Sequence, residues 1–419
     1  MGSLHKEVWA SNGSGMSRRQ RASGVYYWYL PDRLNDMPIQ LDADVVGDVV
    51  RAEVALASCK SRSPRGLEGI ARLMLRSEAV SSSQIEGLVI GGKRLMRAEL
   101  QEMDPKNVRY DERAAEILAN IHAAEEGIRI AGTQDAITME TLRAIHRALF
   151  SGTRLEDWGG TVRDVQNWVG GGGTNPLSAE FVPPAPQEVP ALLEDLVAFA
   201  NRMDVSAVVQ AALCHAQFET IHPFIDGNGR VGRALIQVCL MRRGVVGAAV
   251  PPVSLALATQ RLDYYASLSK YQHHTDDAAR HEAINDWVSF FSGAVVQACA
   301  DMERIADDME SLRLAWRGRL GSVRSDSTLE RMLYQLQAMP YFTVKTMMRA
   351  GVGSKQSVSN AVRRLVDAKI AVQTNRGKRE RVFEVPEMFE QFNIVERSLA
   401  SPERNTAIAP PVRPVPYKS

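Results

Sequence analysis

The segment from His222 to Arg233 reads HPFIDGNGRVGR and brings an imidazole, a carboxylate, glycines and two guanidinium groups close together in the chain. An apolar helical pattern ends at His222 and resumes at Ala234, so the glycines occupy a turn at the start of a second helix. Main-chain N–H groups at a helix start attract anions, and glycines let phosphate oxygens approach them closely. The segment therefore predicts a phosphate-binding loop.

The charged side chains of this loop fit phosphate chemistry. Asp226 is placed to hold a hard cation such as Mg²⁺, which usually takes one or two carboxylates and completes its shell with water and phosphate. Arg230 and Arg233 lie three residues apart on one helix face and offer forked donors for phosphate. His222 carries an imidazole that can accept a proton from an attacking hydroxyl. Together these residues predict a phosphoryl or nucleotidyl transfer site.

The whole segment matches the pattern H-P-F-x-D-G-N-G-R-x-x-R at every position. It thereby resembles the signature of the Fic family, whose members mostly transfer AMP from ATP to a hydroxyl side chain of a target protein. The alternative is a helix-capping loop with exposed arginines, against which so many fixed positions in one ungapped run argue strongly. The resemblance implies a protein adenylyltransferase that uses ATP and Mg²⁺ to modify Ser, Thr or Tyr on a target protein and on itself.

The resemblance also implies a role for each residue of the loop. His222 would be the base that activates the hydroxyl, and Asp226 the magnesium ligand. The turn would hold the α- and β-phosphates, with Arg230 on the β-phosphate and Arg233 on the γ-phosphate. Gly229 leaves room for a triphosphate deep in the loop, which favours AMP transfer over the phosphorylation done by a branch of the family with a bulkier residue there. The residues predicted to contact the nucleotide are Asp226, Gly227, Asn228, Gly229, Arg230, Val231, Gly232 and Arg233.

A second informative stretch runs from Leu67 to Gly87. Ser82 and Glu86 lie four residues apart, on one face of a helix that Gly87 would end. Alone this is an ordinary helix end with a surface glutamate, but beside the loop it resembles the family's inhibitory motif S/T-x-x-x-E-G/N, in the class that carries it N-terminal to the catalytic core. That motif implies that Ser82 steadies the helix while the Glu86 carboxylate pairs with Arg233, which misplaces ATP and leaves the resting enzyme weakly active. In parts of the family this glutamate orients water to remove AMP, so a deAMPylating Fic enzyme is an alternative, as is one with another nucleotide donor.

Residues 159–184 are the clearly non-helical stretch in the middle of the chain. Val162 to Val169, four glycines and then Leu177 to Val182 predict two short strands joined by a glycine-rich loop. The alternative is a mobile hairpin without a role. In the Fic family a hairpin flap at this place pairs with the main chain of the target, so the resemblance implies a flap formed by Ser178, Ala179, Glu180 and Phe181.

Two adjacent tyrosines follow the loop at a distance. Tyr264 and Tyr265 resemble a paired-tyrosine feature that borders the adenine in many Fic proteins. Packing in the core is an equal alternative for this pair.

The C-terminal third predicts a second module. Its pattern is helix, helix, turn, helix and hairpin, which is typical of a winged helix-turn-helix. The basic residues exceed the acidic ones here, which favours DNA binding, while a docking or dimerisation domain is an equal alternative. The predicted elements are Ser327 to Met339, Val344 to Ala350, Ser354 to Ala368, Ile370 to Gln373 and Arg381 to Val385, and the basic residues are Lys345, Arg349, Lys355, Arg363, Arg364, Lys369, Arg376, Lys378, Arg379 and Arg381.

The rest of the composition bounds the class of protein. A net charge of +1 argues against a chain wholly devoted to nucleic acid or membrane, and no apolar run is long enough to span a bilayer. Met1 to Arg21 lacks the apolar core of a secretion signal and is predicted to be mobile, whereas the aromatic strip from Tyr26 to Leu30 is predicted to pack onto the core. The four cysteines are isolated in the sequence, which favours core packing in a reducing, cytoplasmic compartment.

These observations predict a mainly α-helical protein with a Fic-type helical core, a β-hairpin flap and a C-terminal winged helix-turn-helix. Its alternative function is a DNA-binding transcriptional regulator whose Fic core senses nucleotide, although sensing would not need the base His222. Its partners would be a target protein with an exposed hydroxyl, DNA through the winged helix, and a second copy of the chain. The predicted domains are an arm at 1–36, an N-terminal helical region with the inhibitory helix at 37–115, the catalytic core and following helices at 116–320, the winged helix at 321–395 and a disordered tail at 396–419.

Overall fold

The chain is described by a computed structural model that covers residues 2–11, 22–61, 67–104, 111–171, 175–274, 276–375, 381–390, 400–401 and 409–410. The described part is mainly helical and carries two small antiparallel sheets, which confirms the predicted fold class. No helix in these ranges is both long and apolar enough to cross a membrane.

The helices and strands follow one another along the chain as listed by their bounds. The helices are α1 (Ala43–Ser61), α2 (Leu67–Ile85), α3 (Gly92–Met103), α4 (Glu112–Thr133), α5 (Met139–Phe150), α6 (Val189–Ala200), α7 (Ala207–Ile221), α8 (Asn228–Arg242), α9 (Val253–Thr259), α10 (Arg261–Gln272), α11 (Asp277–Leu320), α12 (Thr328–Ala338), α13 (Val344–Arg349) and α14 (Lys355–Asp367). The strands are β1 (Ser3–Trp9), β2 (Gly24–Leu30), β3 (Tyr341–Thr343), β4 (Val372–Gln373) and β5 (Val382–Glu384).

The chain divides into two compact units. The first contains the segment from His222 to Arg233, and the second contains α2 and the C-terminal elements. The first unit comprises Met1–Leu56, His122–Val245 and Arg261–Val296, and the second comprises Ala57–Ile121, Val246–Gln260 and Gln297–Ser419.

Helix α7 is the centre of the first unit. Every one of its 15 residues is buried, and α5, α6, α8 and α10 pack around α7 and α8. No glycine or proline interrupts α7, whereas Pro223 just beyond its end cannot continue a helix. The indole N–H of Trp287 donates to the carbonyl of Ala212 at 2.8 Å and fixes the middle of α7. The core thus presents His222 from a rigid support.

The N-terminal segment contains a strand where the sequence predicts a mobile segment. Ser3–Trp9 forms β1 and pairs along its whole length with β2, so the prediction for Met1 to Arg21 was wrong for these residues. The polar composition of β1 hid its pairing, which is supported by the stacking of His5 on Trp28 with ring centres 4.2 Å apart. The predicted packing of the aromatic strip is confirmed for Tyr29, which is buried.

The C-terminal elements occur in the predicted order, and their bounds agree with the prediction within two residues. Strand β5 lies between β3 and β4 in an antiparallel sheet. Helix α14 starts at Ser354, whose hydroxyl accepts from the Ser357 N–H and caps the helix. The predicted basic residues Arg376, Lys378 and Arg379 lie outside the described residues.

The cysteines are isolated in the sequence but form two pairs in space. All four are buried, which confirms core packing. The Cys59 thiol donates to the Cys299 carbonyl at 3.6 Å, and its hydrogen bond to the Cys299 thiol raises the pKa of Cys299. Burial raises the pKa of Cys214, with the neighbouring Cys239 thiol adding to the effect. High pKa values keep these groups as unreactive thiols.

Candidate active site

His222 occupies the junction between α7 and the loop. It takes the left-handed conformation, with φ 50° and ψ 60°, while its N–H still donates to Phe218 O at 2.9 Å as the last bond of α7. A residue with a side chain costs about 1–2 kcal/mol in this conformation, so the surroundings must hold it there. The imidazole is half-buried and its Nδ1 lies 3.3 Å from the Glu219 carbonyl.

The turn before α8 has the predicted form of an anion site. Gly227 has φ 79°, and a Cβ there would lie 2.7 Å from Leu149 Cδ2, so only glycine fits. Its own N–H donates to Asp226 Oδ1 at 2.6 Å, which removes it from the predicted set of phosphate donors. The main-chain N–H groups of Asn228 and Gly229 have no acceptor within the described chain and stand at the N-terminus of a helix. They are the donors that remain for phosphate.

Asn228 closes the loop instead of presenting its side chain to a nucleotide. Its Oδ1 accepts from Phe224 N and its Nδ2 donates to Phe224 O, both at 2.8 Å. The amide thereby satisfies both main-chain groups of a buried residue. The prediction that Asn228 contacts phosphate is therefore narrowed to its main-chain N–H.

The two arginines of the loop are buried to different depths. Arg230 is 7% exposed, lies over the Phe150 ring, and has one guanidinium nitrogen 3.7 Å from Asp226 Oδ1. Arg233 is only 1% exposed. Its charge adds to the effect of burial in lowering the pKa of His215 to about 3, so His215 is neutral.

The contact between α7 and α8 explains the smaller residues of the motif. A Cβ on Gly232 would lie 2.5 Å from Glu219 Oε1 and 3.1 Å from His215 Nδ1, so glycine permits the close approach of the two helices. Val231 is fully buried in the same interface. Both residues were predicted to contact the nucleotide, and the structure gives them packing roles.

Arg163 and Asn167 hold the His222 segment and were missed by the sequence analysis. The Arg163 side chain is 3% exposed and donates to the carbonyls of Ile221, His222, Val165 and Pro184 at 2.6–3.3 Å. Asn167 Nδ2 donates to the carbonyls of His222 and Phe224 at 3.1 and 3.0 Å. Burial lowers the pKa of Arg163 to about 10, which leaves it charged at neutral pH. The only sequence signal was a basic and an amide residue in a stretch that precedes the predicted flap.

His146 on α5 supports the Asp226 end of the loop. Its Nδ1 accepts from the Gly160 N–H at 2.8 Å, so its Nε2 carries the proton and donates to the Asp226 carbonyl at 3.1 Å. The ring stacks on Phe224, with ring centres 3.7 Å apart. Burial lowers the pKa of His146 to about 4 and keeps this tautomer neutral. The predicted packing role is confirmed, and the hydrogen bond to Asp226 is new.

The predicted flap is an antiparallel turn with less strand than expected. Val169 and Phe181 form an isolated bridge, with Val169 N donating to Phe181 O at 2.8 Å. Pro176–Ser178 forms a 3-10 helix, so the prediction of a strand from Leu177 was wrong. The proline and the Asn175 side chain, which accepts from Leu177 N, start this helical turn. Ala179 and Glu180 follow it, and the residues 172–174 lie outside the described ranges.

The two tyrosines separate. Tyr264 is 1% exposed, and its hydroxyl lies 2.9 Å from His215 Nε2, which favours the core-packing alternative for this residue. Tyr265 is 43% exposed and remains a predicted neighbour of adenine.

The inhibitory motif lies at the C-terminal end of α2, in the second unit. Ser82 is buried within α2, Glu86 is exposed one residue beyond the helix, and Gly87 has φ 80°. Asn120 Nδ2 donates to Ala79 O at 2.8 Å and to Ser83 Oγ at 3.0 Å, which fixes this end of the helix. Ser83 is therefore a steadying residue that the motif alone did not indicate.

Two buried ionic contacts fix the rest of α2 inside the second unit. Arg76 donates to both Glu99 carboxylate oxygens, at 3.1 and 2.7 Å, and to the Ala338 carbonyl at the end of α12 at 2.9 Å. Glu78 accepts from the N–H and the hydroxyl of Ser254 at the start of α9. Helix α2 is thus bonded to α3, α9 and α12, and a glutamate just after it has a fixed base.

The fit of Mg²⁺ rests on Asp226 alone. The described residues contain no group of three or more His, Cys, Asp or Glu that could hold a metal. The Asp226 side chain is 59% exposed, and only its Oδ1 takes part in the bonds described above. One accessible carboxylate beside a phosphate site suits Mg²⁺, which draws its other ligands from phosphate and water.

Two family models match the chain. The Fic/DOC family model matches residues 136–240, which contain α7, the flap and the loop before α8. Residues 136–240 are a Fic/DOC family domain. The Fic/DOC family N-terminal model matches residues 47–129, so the Fic/DOC domain is preceded by the N-terminal region that contains α2.

Relatives with assigned names agree with this family. The Fic/DOC domain region is similar to protein adenylyltransferase fic-1 of Caenorhabditis elegans, with 32% identity over 137 residues that cover 32% of this chain and 24% of the relative. It is also similar to a probable protein adenylyltransferase of Aquifex aeolicus, with 42% identity over 74 residues, or 17% of this chain and 23% of the relative. The chain therefore spans about a quarter of the length of these relatives.

The fold also matches a solved structure. A Fic family protein from Desulfovibrio desulfuricans aligns with a TM-score of 0.51 and 20% identity, covering 83% of this chain and 97% of that protein. At this identity the match shows a shared fold.

Proposed function

We propose that this chain is a protein adenylyltransferase that transfers AMP from ATP to a Ser, Thr or Tyr hydroxyl of a target protein and of itself. The observation that carries the proposal is the loop from His222 to Arg233, in which an imidazole stands beside a helix N-terminus with unused N–H groups. The similarity to proteins named as adenylyltransferases supports the same activity.

The proposed reaction is a direct displacement at phosphorus. His222 takes the proton of the target hydroxyl, and the hydroxyl oxygen attacks the α-phosphorus of ATP. The bond from the α-phosphorus to the bridging oxygen of the β-phosphate breaks, and pyrophosphate leaves while AMP stays on the target. The N–H groups of Asn228 and Gly229 hold phosphate oxygens, and Arg230 neutralises charge on the β-phosphate. Bound Mg²⁺, held by Asp226, would neutralise further phosphate charge.

Regulation by Glu86 is part of the proposal. Its carboxylate pairs with Arg233 and withholds that guanidinium from the γ-phosphate, so ATP is held in an unproductive position. The burial of Arg233 supports this, because an enclosed guanidinium is unavailable to phosphate. The anchoring of α2 by Arg76 and Glu78 supports a fixed starting point for Glu86.

The flap contributes target binding in this proposal. Main-chain groups near Ser178, Ala179 and Glu180 pair with an extended segment of the target and bring its hydroxyl toward His222. The bridge between Val169 and Phe181 supports an extended conformation at the base of the flap. Cytoplasmic location and self-association stay predictions from the sequence.

A second candidate function is nucleic-acid binding by the C-terminal elements, which we infer to be a winged helix-turn-helix. Lys355 and Arg363 on α14 are exposed and form no ion pair with any described residue, which leaves them available for phosphate. Lys345 and Arg349, by contrast, donate to Asp104 and to the Met103 carbonyl at the end of α3, so part of the basic surplus is structural.

The adenylyltransferase proposal is tested with the full chain, Mg²⁺ and ATP labelled on either the α- or the γ-phosphate. AMP transfer places α-label and no γ-label on protein, whereas phosphorylation does the reverse. Titration of labelled duplex DNA at several salt concentrations tests the second candidate, since phosphate contacts make affinity fall steeply with salt. DNA binding without any protein labelling would favour the regulator alternative.

A further inference from the structure

We propose that Arg163 and Asn167 are positioning residues that hold His222 in register with the flap during AMP transfer. The inference rests on the proposed function and adds to it two residues outside the loop. It begins from the conformation of His222, which is left-handed at φ 50° and therefore persists only where neighbouring groups fix it.

The His222 carbonyl is the point at which both residues act. Arg163 Nε donates to it at 2.8 Å, and Asn167 Nδ2 donates to it at 3.1 Å. The same two side chains reach the residues on either side, since Arg163 also bonds Ile221 O and Asn167 also bonds Phe224 O. The peptide groups before and after His222 are thereby fixed together, and the orientation of its side chain with them.

The charge of Arg163 is used by main-chain acceptors. Its side chain is almost fully buried, and the ion pairs of the described chain do not include it. Its acceptors Ile221 O and His222 O lie at the C-terminal end of α7, where the helix dipole favours a cation. A buried charge costs several kcal/mol to desolvate, on the order of what several charge-assisted hydrogen bonds return. The geometry therefore ties this arginine to one place, the end of α7.

The two ends of the flap are bonded to the same segment. Before the flap, Arg163 N donates to Pro223 O at 2.9 Å. After the flap, Pro184 O accepts from Arg163 Nη2 at 2.6 Å and Pro183 O accepts from Gln166 Nε2 at 2.9 Å. A target segment held by the flap therefore keeps a constant distance from His222, which is what proton abstraction from its hydroxyl requires.

Positioning makes a prediction that a purely structural role does not. The N–H groups of Asn228 and Gly229 and the charge of Arg230 belong to α8, beyond the bonds made by Asn167. Removal of the Asn167 amide should leave ATP affinity unchanged and lower kcat, because a displacement of about 1 Å can cost on the order of 100-fold in rate.

The test compares two asparagines with matched chemistry. Asn167→Ala and Asn201→Ala each remove an amide that bonds main-chain groups of the first unit, but Asn201 bonds Ile137 and Val197, away from His222. Both changes are made in the Glu86→Gly background of the full chain, and kcat for labelling, the dissociation constant of ATP and Tm are measured. We expect Asn167→Ala to lose about 10- to 100-fold in kcat with unchanged ATP affinity, and Asn201→Ala to lose Tm without a matching loss of kcat.

Arg163 is tested by a graded pair of changes. Arg163→Lys keeps the charge and should retain more kcat than Arg163→Gln, since a lysine can still donate to carbonyls at the end of α7. The inference is overturned if Asn167→Ala keeps its kcat, if ATP affinity falls in parallel with kcat, or if Asn201→Ala loses as much kcat. A Glu86→Gly parent that labels nothing removes the proposed function as well, whereas an active parent with an unaffected Asn167→Ala variant removes this inference alone.

Discussion

The loop at His222 and the C-terminal end of α2 are stabilised in different ways. The loop is fixed by side chains that bond main-chain carbonyls on both sides of His222, all within the first unit. Helix α2 is fixed along its length by side-chain contacts in the second unit, and Glu86 extends beyond its last turn as an exposed residue. The difference suggests that the catalytic loop is built to keep one geometry, whereas the proposed inhibitory residue is placed where it can be released.

The loop should tolerate substitution least at Gly227. Gly227→Ala adds backbone strain of about 1–2 kcal/mol and an overpacked contact with Leu149, which typically costs about 1–3 kcal/mol more. We expect loss of both ATP binding and protein labelling, measured by titration calorimetry and label transfer.

Gly244→Ala is the matched control for that change. Gly244 also has a positive φ, 64°, but a Cβ there meets no atom within 4 Å. It should lower Tm by the backbone term alone and leave labelling intact. Equal loss of labelling in both variants would mean that backbone strain anywhere in the unit, and not the shape of the turn, abolishes activity.

The anchoring of α2 should be separable from catalysis. Arg76→Gln breaks a buried ion pair with Glu99 and its bond to Ala338, which typically costs about 3–5 kcal/mol. If α2 positions the inhibitory glutamate, the variant should label protein several-fold faster than the wild-type protein. The increase should vanish in the Glu86→Gly background, where nothing remains to be displaced.

Arg94→Gln is a suitable control for Arg76→Gln. Arg94 forms a bidentate pair with Asp111 in the same unit, but on the surface, where ion pairs add little stability. It should change neither Tm nor labelling. A rise in labelling for Arg76→Gln that persists in the Glu86→Gly background would argue against a role through Glu86.

The smallest effect concerns pH and His146. Its pKa is about 4 in the folded protein and about 6.5 in an unfolded chain, so folding favours the neutral form. The stabilisation is complete above pH 6.5 and is lost as pH falls toward 4, by on the order of 1–2 kcal/mol at pH 5. Urea unfolding at pH 7 and pH 5 should show a smaller pH effect for His146→Asn than for the wild-type protein. An unchanged pH effect would show that His146 is not responsible.

The sequence predicted the elements that carry strong local signals. The turn at Gly227, the helix start at Asn228 and the helix end at Gly87 follow from glycine and from apolar periodicity, and they are confirmed. The order of the C-terminal helices and strands followed from the same signals. These features depend on residues that are neighbours in the chain.

The rest depended on contacts between residues distant in the chain. Arg163 and His146 reach the loop from 59 and 80 residues away, and no local pattern marks a buried arginine that bonds carbonyls. Strand β1 was missed because its polar residues are stabilised by pairing with β2 and by ring stacking. The flap formed a helical turn at Pro176–Ser178 because proline and Asn175 overrode its alternating pattern.

Transfer of label from α-phosphate-labelled ATP to protein, with Mg²⁺, tests the central claim most directly when wild type, Glu86→Gly and His222→Ala are compared. The account predicts weak labelling of the wild-type protein, strong labelling of Glu86→Gly, and at least about a 100-fold loss when His222→Ala is added to Glu86→Gly, since a general base contributes roughly 100- to 10,000-fold. Labelling of the His222→Ala, Glu86→Gly protein at the rate of its parent would contradict the account, as would no labelling of any variant or of host proteins supplied as targets.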